Sequence, residues 1–438
     1  MAVFVAKFGG SSLADAKQFE KVGEIVHMDE ARCYIVPSAP GKRTPDDDKV
    51  TDMLYSAYAL AAEGRDFSAP FAKIVARYAG IRDELKLSID IESHLDQVRF
   101  GLRSGQSVDY AASRGEYLNG LLLAEYLGYD FIDPAEVIFF DANGRFDQAR
   151  TDEIFGARLT KHARAVVPGF YGSMPNGQIK TFSRGGSDIT GAIVARAAKA
   201  DVYENWTDTS GFLMTDPRIV ENPKPIKAIT YRELRELAYM GASVFHDEAI
   251  FPVREAGIPI NIRNTNSPAD PGTRIERDCD GMQRGPITGI AGKKGFSAIT
   301  IDKAMMNSEL GFGRRVLQAL EEEGISFEHM PSGIDTMSVV VQDTNFIGHE
   351  EKIVRRIQRE CAPDHVEIIS GLSLIATVGR GMVASRGMAG RLFSALGKAG
   401  VNVRMIDQGS SEINIIVGVE TGDFDTAVRA IYKEFVGD

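Results

Sequence analysis

Residues 2–12 read Ala-Val-Phe-Val-Ala-Lys-Phe-Gly-Gly-Ser-Ser, and this stretch indicates the fold class of the N-terminal part of the chain. Residues 2–6 are a short continuous apolar run, typical of a strand buried on both faces of an α/β sheet. Behind the glycines, apolar residues recur at helical spacing at Leu13, Ala16, Phe19, Val22 and Val26. The pattern predicts a strand, a glycine turn and a helix, with Ser12 and Asp15 forming a capping box.

Strand and helix patterns alternate from this point to about residue 263. The segments 33–36, 137–140 and 163–170 read as strands, and 52–62 reads as a helix. This alternation predicts one large α/β unit. The following segment, residues 264–295, is rich in Asn, Pro, Asp and Gly, so we expect no regular element of any length there and place the domain boundary within it.

The C-terminal part of the chain repeats itself 76 residues further on. The repeated positions are Gly311, Arg315, Ala319, Leu320 and Gly324, matched by Gly387, Arg391, Ala395, Leu396 and Gly400. Each copy is predicted as strand, helix, two strands, helix, strand in ferredoxin-like order. Neither copy has an obvious nucleophile or acid–base cluster, which favours binding of a ligand or pairing with the twin copy over catalysis.

Composition and charge exclude several classes of protein. The chain has 438 residues, of which 44% are hydrophobic and 25% charged, which suggests roughly two to four domains. The net charge of −11 argues against a generally basic surface for nucleic acid. The three cysteines, Cys33, Cys279 and Cys361, are too scattered for a disulfide framework or a zinc site. Without a signal-peptide core or an apolar run of about 20 residues, we expect a cytoplasmic protein with neither nucleic acid nor membrane as a partner.

The segment around Lys7 is the first candidate site. Lys7 and the backbone N–H groups of Gly9, Gly10 and Ser11 lie where a strand ends and a helix starts, an arrangement that binds phosphate. A tight turn with a surface-exposed lysine is the alternative. The spacing fits neither a Walker A loop nor a dinucleotide fingerprint, so neither a P-loop nor a nicotinamide cofactor is supported.

A second glycine cluster, residues 183–188, precedes a predicted helix at residues 189–199. Arg184 offers two parallel donors to a planar carboxylate. Asp188 either caps the helix or orients Lys7 or Arg184.

Glu116 follows Arg114 and Gly115 at the entrance of a further apolar helical stretch, residues 117–127. A carboxylate near a helix start favours the helix dipole, and it can equally bind an ammonium group. Thr51, after a polar loop, is uninformative by itself.

Two polar loops follow the predicted strand around Val202. They read Trp-Thr-Asp-Thr-Ser-Gly at residues 206–211 and Thr-Asp-Pro-Arg at residues 215–218. Ligands of open α/β sheets bind beyond the carboxyl ends of the strands, so a nucleotide fits here, and a turn-rich hairpin is the alternative. These candidates comprise an arginine that can bind a carboxylate, an acidic residue that can bind an ammonium group, and two anion-binding loops. Together they fit a kinase that phosphorylates a carboxylate. Such a group is already ionised at neutral pH and needs no general base.

The four motifs at residues 7–12, 114–116, 184–188 and 206–218, with the C-terminal tandem repeat, resemble those of monofunctional aspartate kinases. The resemblance implies a three-layer αβα amino-acid-kinase domain at residues 1–290. Two ferredoxin-like ACT domains are implied at residues 291–365 and 366–438. It also implies transfer of the γ-phosphate of ATP, with Mg²⁺, to the β-carboxylate of L-aspartate, the first step of lysine, threonine and methionine biosynthesis.

The resemblance further implies roles for individual residues. Lys7 and Asp188 would be catalytic, and the aspartate-binding residues would be Thr51, Glu116, Arg184 and Ser187. The ATP-binding residues would be Lys7, Phe8, Gly9, Gly10, Ser11, Thr207, Asp208, Phe212 and Arg218. Feedback inhibition by lysine, with or without threonine, is implied at Met306, Phe312, Glu328 and Asp335. A homodimer or homotetramer through the ACT domains is implied, and no metal site made by protein ligands alone.

The chain departs from the family pattern at two positions, Leu213 where many relatives have Tyr and Ser243 where many have Lys. We hypothesise that Lys42 or Arg43 supplies the missing cation. Two alternatives stay open: an idle amino-acid sensor with a kinase-like scaffold, and a kinase of the same fold acting on glutamate, N-acetylglutamate, carbamate or UMP.

Overall fold

The computed structural model describes residues 2–183, 185–242, 250–278 and 285–437, which fall into two compact units. The first unit comprises Met1–Phe212, Lys227–Tyr231 and Val244–Met282. The second comprises Leu213–Ile226, Arg232–Ser243 and Gln283–Asp438. Among the described residues, no helix combines the length and apolar character needed to cross a membrane.

The first unit contains both strands and helices, with α2 to α5 following one another between β2 and β3, so the predicted alternation holds only in part. Its strands are β1 (Phe4–Phe8), β2 (Arg32–Pro37), β3 (Asp130–Phe131), β4 (Ala165–Val166), β5 (Tyr171–Ser173), β6 (Ile179–Thr181), β7 (Val202–Thr207), β8 (Ala228–Thr230), β9 (Ile260–Asn264) and β10 (Thr273–Glu276). Its helices are α1 (Ala16–His27), α2 (Val50–Ala62), α3 (Ser68–Leu85), α4 (Ile91–Arg103), α5 (Val108–Leu127), α6 (Gln148–Leu159), α7 (Gly186–Ala197), the first residue of α8 (Tyr231–Tyr239), and α9 (Phe251–Ala256).

Eight of these strands form one sheet in the order β3-β4-β2-β1-β7-β9-β10-β8, with β5 and β6 as a separate hairpin. Strand β1 lies near the centre of the sheet, parallel to β2 and β7. Val5 and Ala6 are fully buried, as predicted for the apolar run 2–6, whereas Ala2 is exposed and the strand continues to Phe8. Helices α1 to α5 cover one face of the sheet, where Phe8 and Trp206 lie in the core. Helix α7 packs on the other face of the sheet, against β1, β2 and β7. The predicted three-layer α/β/α architecture is confirmed.

The predicted capping box at the first glycine turn is wrong. Gly10–Leu13 form a single 3-10 turn, and α1 begins only at Ala16. Its N-cap is Asp15, whose carboxylate accepts a hydrogen bond from the Gln18 N–H (3.0 Å). The Ser12 hydroxyl instead pairs with the Thr265 hydroxyl (2.7 Å), a long-range partner that local spacing does not reveal.

Two readings of acidic residues near helix starts are also wrong. Helix α5 begins at Val108, with Ser107 as its N-cap, so Glu116 lies in the third turn, away from the helix dipole. Asp188 lies in the first turn of α7, but the N-cap is Gly185 and no side chain caps the helix. Helix capping therefore explains neither carboxylate, although Asp188 lies where a negative charge favours the helix dipole.

Two strand predictions and one prediction of irregular structure differ from the structure. Residues 137–140 contain only isolated bridges, from Phe139 and Phe140, and the segment 163–170 contains only the two-residue β4. The segment 264–295, expected to be irregular, contains β10 and the start of the next long strand. Short strands are set by their neighbours in the sheet rather than by local composition.

The second unit carries the sequence repeat. Its strands are β11 (Gly289–Asp302), β12 (Phe327–His329), β13 (Thr336–Gln342), β14 (His365–Val378), β15 (Val403–Asp407) and β16 (Asn414–Glu420). Its helices are the remainder of α8, α10 (Phe312–Glu321), α11 (Asp343–Phe346), α12 (Glu350–Cys361), α13 (Gly381–Ala384), α14 (Met388–Lys398) and α15 (Phe424–Val436).

The two copies share one six-stranded sheet in the order β12-β13-β11-β14-β16-β15. The central strands β11 and β14 are each 14 residues long and pair with one another along nearly their whole length. The first copy uses β14 as its last strand, and β11 completes the second copy, which ends with α15. The first copy therefore has the predicted order of strand, helix, two strands, helix and strand. The second copy differs from the prediction, because its described chain ends with α15 and the additional strand beside β14 is β11 of the first copy.

Candidate active site

Lys7 and Asp188 form the charged centre of the candidate site. Lys7 lies near the end of β1, and its backbone is in register with Val36 of β2 and Asn205 of β7. The Lys7 Nζ atom is 2.5 Å from Oδ1 of Asp188, and the two side chains are only 10% and 15% exposed. A cation fixed by one carboxylate near the carboxyl edge of parallel strands can meet an anionic ligand.

Gly9 and Gly10 bring the backbone close to this lysine. The Gly9 N–H donates to the Trp206 carbonyl (3.0 Å), and a Cβ atom on Gly9 would lie 3.8 Å from Lys7 Nζ. A Cβ atom on Gly10 would lie 2.8 Å from the Ala39 carbonyl oxygen, so this position has no room for a side chain. The simple turn with a surface-exposed lysine is therefore excluded, because Lys7 is buried against the glycine loop.

The loop after β2 closes against the same glycines. The Gly41 N–H donates to the Gly10 carbonyl (2.8 Å), and a Cβ atom on Gly41 would lie 2.7 Å from the Gly10 carbonyl carbon. Arg77, buried on α3, donates to the Gly41 carbonyl (2.8 Å). This backbone contact holds residues 38–41 beside the Lys7 loop.

Arg43, one of the two hypothesised phosphate cations, is engaged within its own loop. Its Nε donates to Asp47 (2.8 Å), which also binds Arg77 (2.6 Å). The Arg43 side chain, its backbone N–H and the charge of Arg77 hold the pKa of Asp47 well below its usual range. Lys42 is exposed and donates to the Pro45 carbonyl (3.2 Å). The hypothesis that Arg43 supplies the missing cation therefore requires an ion pair to open.

Glu116 is a buried carboxylate with one open oxygen. It is 6% exposed, and the Ala39 N–H bonds its carboxylate. Its Oε2 atom is buried and has no hydrogen-bond partner within the described part of the chain. Burial raises the pKa of Glu116 to about 8, against the N–H groups of Ala39 and Glu116 and the charge of Arg114. An unpaired buried acceptor costs about 1–3 kcal/mol, so the position favours a ligand that donates hydrogen bonds.

The other predicted aspartate-binding residues lie on neighbouring elements. Ser187 packs closely on Gly169, where an added Cβ atom would lie 2.6 Å from Ser187 Cβ. The Gly169 N–H donates to the Pro37 carbonyl (3.0 Å), which places Ser187 near the end of β2. Thr51 is half-buried in the first turn of α2. Arg184 lies outside the described residues, and its role stays a prediction.

The predicted nucleotide residues of the first unit follow β7. Thr207 ends this strand, and its hydroxyl donates to Asp208 (3.2 Å), which is exposed. The Thr207 carbonyl accepts the Thr265 N–H (2.9 Å). Phe212 is 2% exposed, and its N–H donates to the Thr273 hydroxyl (2.8 Å). Thr207 and Asp208 thus lie open at the carboxyl edge, whereas the Phe212 ring belongs to the core.

Comparison with known proteins decides the family. The profile of the amino acid kinase family matches residues 2–264, and the profile of an ACT domain matches residues 375–435. Aspartokinase 3 of Bacillus subtilis is 42% identical over 449 residues, which cover 98% of this chain and 98% of the relative. The chain belongs to the aspartokinase family. The resemblance predicted from the four sequence motifs is thereby confirmed.

Solved structures of the aspartokinase family agree with this fold. The crystal structure of Clostridium acetobutylicum aspartate kinase, described as an allosteric enzyme, matches with a TM-score of 0.93 and 55% identity. The match covers 99% of this chain and 100% of that one. Escherichia coli aspartokinase III in complex with aspartate and ADP matches with a TM-score of 0.72 over 99% of both chains. At 24% sequence identity, this match supports the fold of the chain and nothing about its function.

Arg218 and Leu213 belong to the second unit of this aspartokinase-family chain. Arg218 donates through Nε (3.0 and 3.1 Å) and Nη2 (2.6 Å) to Asp216, two residues earlier. Its side chain is 88% exposed. Its assignment to ATP stays a prediction.

The four predicted effector residues divide into two groups. Met306 and Phe312 are buried in the core of the first copy, 5% and 3% exposed. Glu328 on β12 accepts a hydrogen bond from the Tyr239 hydroxyl, and Asp335 accepts the Met305 N–H (2.7 Å). Only the two acidic side chains present polar groups near the surface.

Sequence reasoning missed two residues beside the site. Asn205 donates to Asp188 Oδ1 (2.9 Å), and the adjacent polar residues Glu204 and Asn205 inside a predicted buried strand are the signal that could have revealed it. Arg114 is buried, and its guanidinium lies 4.5 to 5.1 Å from three ring centroids, those of Tyr110, Tyr117 and Tyr171. Its signal was its place two residues before Glu116.

Proposed function

We propose that the protein transfers the γ-phosphate of ATP to the side-chain carboxylate of L-aspartate, giving 4-phospho-L-aspartate. The observation that carries the proposal is the Lys7–Asp188 pair over the glycine loop, in a chain 42% identical to an aspartokinase over nearly its full length. The arrangement fits phosphoryl transfer, in which positioning and charge stabilisation supply most of the catalysis.

The chain's own residues divide the work as follows. Lys7 places its ammonium where the transferred phosphoryl group accumulates charge, and Asp188 fixes its direction. The backbone N–H groups of Gly10 and Ser11 add hydrogen-bond donors for the phosphate oxygens, next to Phe8 and Gly9 in the same loop. Thr207 and Asp208 flank the nucleotide at the end of β7. The ATP-binding roles of Phe212, whose ring lies in the core, and of Arg218 stay predictions.

Aspartate is held by its α-groups so that its side chain meets the phosphate. The open Oε2 of Glu116 accepts the α-ammonium, whose charge favours the ionised carboxylate and so lowers the raised pKa of Glu116. Arg184, Ser187 and Thr51 complete the aspartate site in this proposal. The attacking side-chain carboxylate has a reference pKa of about 3.9 and is already ionised, so no general base is required.

Magnesium accompanies ATP in this proposal. Carboxylates such as Asp188 and Asp208 at the phosphate edge are the kind of oxygen ligand that Mg²⁺ takes, usually together with substrate phosphates. Bound with ATP, it supplies neutralisation of the phosphate charges. Within the described ranges, no group of three or more His, Cys, Asp or Glu side chains is placed to hold a metal ion.

We further propose that the second unit binds lysine, with or without threonine, and pairs with a second copy of the chain. The support is an exposed apolar group on the first copy, at Met305 (70%), Leu310 (95%) and Ile334 (69%). Two of these residues adjoin Asp335, one of the predicted effector residues: the Met305 N–H donates to its carboxylate, and Ile334 precedes it in the chain. Contiguous exposed apolar side chains mark association surfaces. ATP and aspartate as substrates also fit the expected cytoplasmic location.

The proposed activity is tested by incubating the protein with ATP, Mg²⁺, hydroxylamine and an amino acid, and measuring the hydroxamate formed. We expect product with L-aspartate. N-acetyl-L-aspartate, which lacks the ammonium that Glu116 receives, and L-asparagine, which lacks the acceptor carboxylate, should give none. Absence of product with L-aspartate would favour the idle sensor, and equal product with N-acetyl-L-aspartate would contradict the role of Glu116.

A further inference from the structure

Asn205 places a buried amide side chain on β7, at the centre of the first sheet. Successive side chains of a strand point to opposite faces, so Glu204 and Asn205 give β7 one buried polar side chain on each face. A buried polar group costs free energy unless it is hydrogen-bonded. The partners of these two residues therefore indicate what each contributes.

Glu204 has structural partners. It accepts hydrogen bonds from Arg32 Nε (2.7 Å) and Nη2 (3.1 Å) and from Trp206 Nε1 (3.0 Å), within the face covered by α1 to α5. All of these groups are deep in the sheet.

Asn205 has a partner in the candidate active site. Its Nδ2 donates to Oδ1 of Asp188 (2.9 Å), the same oxygen that lies 2.5 Å from Lys7 Nζ. Asn205 is 4% exposed and is the register partner of Lys7 on the neighbouring strand. Two donors on one carboxylate oxygen fix the orientation of the carboxylate, because rotation would break both contacts.

We propose that Asn205 is a positioning residue, which holds the Asp188 carboxylate and through it the Lys7 ammonium in the orientation needed for phosphoryl transfer. A lysine side chain has a flexible four-carbon stem, so its charge follows the carboxylate that binds it. The inference rests on the proposed function, because the position of the Lys7 ammonium affects a reaction rate only if the protein transfers a phosphoryl group. Asn205 does not itself touch a reacting atom in this account.

Tyr203 offers a matched control on the same strand. Its hydroxyl donates to the backbone carbonyl of Asp188 (3.1 Å), not to the carboxylate. Gly191 leaves room for this ring, since a Cβ atom there would lie 2.4 Å from the hydroxyl oxygen. Tyr203→Phe removes a buried hydrogen bond to Asp188 while leaving the contacts with Asn205 and Lys7 in place.

The first test compares Asn205→Leu with Tyr203→Phe in the hydroxamate assay. For Asn205→Leu we expect kcat to fall about 10- to 100-fold, with the KM values for aspartate and ATP changed less than about threefold. Tyr203→Phe should keep kcat within about threefold of the parent protein. An unchanged kcat in Asn205→Leu, or an equal loss in Tyr203→Phe, would overturn the inference.

The second test uses Asn205→Asp, in which a protonated carboxyl can still donate to Asp188 but an ionised one repels it. Two adjacent carboxylates share a proton, so the pKa of the introduced group should be raised. We expect kcat to be closest to the parent value at the acid end of the range and to decline, relative to the parent, as the pH rises. A constant ratio at every pH would contradict a donor role. This comparison decides the matter if Asn205→Leu fails to fold.

A crystal structure of Asn205→Leu gives a readout that does not depend on turnover. We expect the 2.5 Å contact between Lys7 Nζ and Asp188 Oδ1 to be lost or shared among several orientations. If it is retained unchanged, the inference is wrong. If the parent protein forms no hydroxamate, the proposed function fails, and this structural comparison alone judges whether Asn205 positions the pair.

Discussion

Arg32 with Glu204 and Lys7 with Asp188 are two buried ion pairs on opposite faces of the same sheet. They differ in how completely their hydrogen bonds are satisfied. Glu204 is 3% exposed and accepts two hydrogen bonds from Arg32. It also accepts hydrogen bonds from Trp206 and Arg263. The guanidinium groups of Arg32 and Arg263 lie 5.3 and 4.6 Å from the Trp206 ring centroid.

Lys7 and Asp188 lie near the strand ends, where each keeps some exposure. Nearby, Glu116 retains an oxygen without a partner in the described structure. The Arg32–Glu204 pair, the closed pair, therefore fits a role in folding. The Lys7–Asp188 pair, the open pair, and the Glu116 carboxylate fit ligand binding. The difference teaches that an unsatisfied carboxylate close to a partly exposed ion pair at the strand ends distinguishes the candidate site, because unsatisfied buried polar atoms alone also occur elsewhere in this sheet, at Asn261 Oδ1 and Arg263 Nε.

Replacing the open pair's cation should have the largest effect on activity. For Lys7→Met we expect hydroxamate formation to fall by about 10³-fold or more, because the charge opposite the phosphoryl group is lost. The melting temperature should stay close to that of the parent protein, since Asp188 keeps Asn205 and access to water. Lys17→Met, at an exposed lysine of α1, is the control for both readouts. A large loss of stability with retained turnover would place Lys7 among the structural residues.

Breaking the closed pair should give the opposite result. Glu204→Gln leaves the buried Arg32 without an anion, and we expect the free energy of unfolding in urea to fall by about 3 kcal/mol. The kcat of the folded fraction should change little, because Glu204 faces away from Lys7. If kcat fell as far as in Lys7→Met while stability was unchanged, the distinction between the two pairs would be lost.

Removing the charge of Glu116 should act on binding rather than on chemistry. For Glu116→Gln we expect the KM for aspartate to rise about 10- to 100-fold, since a hydrogen bond to a charged group contributes about 1.5–3 kcal/mol. The KM for ATP should be nearly unchanged. Glu20→Gln, at an exposed position of α1, serves as the control. A larger effect on ATP than on aspartate would place Glu116 with the nucleotide.

Glu116 should also leave a signature in the pH dependence of stability, which is gradual at each step of pH. Its pKa in the folded protein is raised by burial to about 8, from 4.5. The folded state therefore holds a proton that the unfolded state releases, and this stabilisation, complete at low pH, is lost as the pH rises toward 8. We expect a decline of about 1 kcal/mol per pH unit between pH 5 and 8, absent in Glu116→Gln. Parallel pH profiles for the two proteins would show that Glu116 is ionised in the folded state.

The sequence was informative where a residue's role depends on its immediate neighbours. The apolar run of β1 and the glycine loop behind Lys7 were both legible from local pattern. The 76-residue offset revealed two copies of one unit, because each copy conserves its own helix and turn positions. Family membership followed from the order and spacing of the four motifs.

The remainder depended on contacts between distant segments. The partner of Ser12 lies 253 residues away, and the sharing of β11 and β14 by both copies is set by strand pairing that no local pattern contains. Glu116 was misplaced toward a helix start because the first turns of α5 carry polar residues. Asn205 was passed over in the strand predicted around Val202, because its contact with Asp188 joins segments 17 residues apart that no local pattern brings together.

A crystal structure with L-aspartate and a non-hydrolysable ATP analogue tests the central claim most directly, through the distance from Lys7 Nζ to the γ-phosphate oxygens. We predict a hydrogen bond of about 3.2 Å or less, with Asp188 still contacting the ammonium and the aspartate ammonium on Glu116 Oε2. A Lys7 ammonium directed away from the γ-phosphate while both ligands are bound would contradict the account.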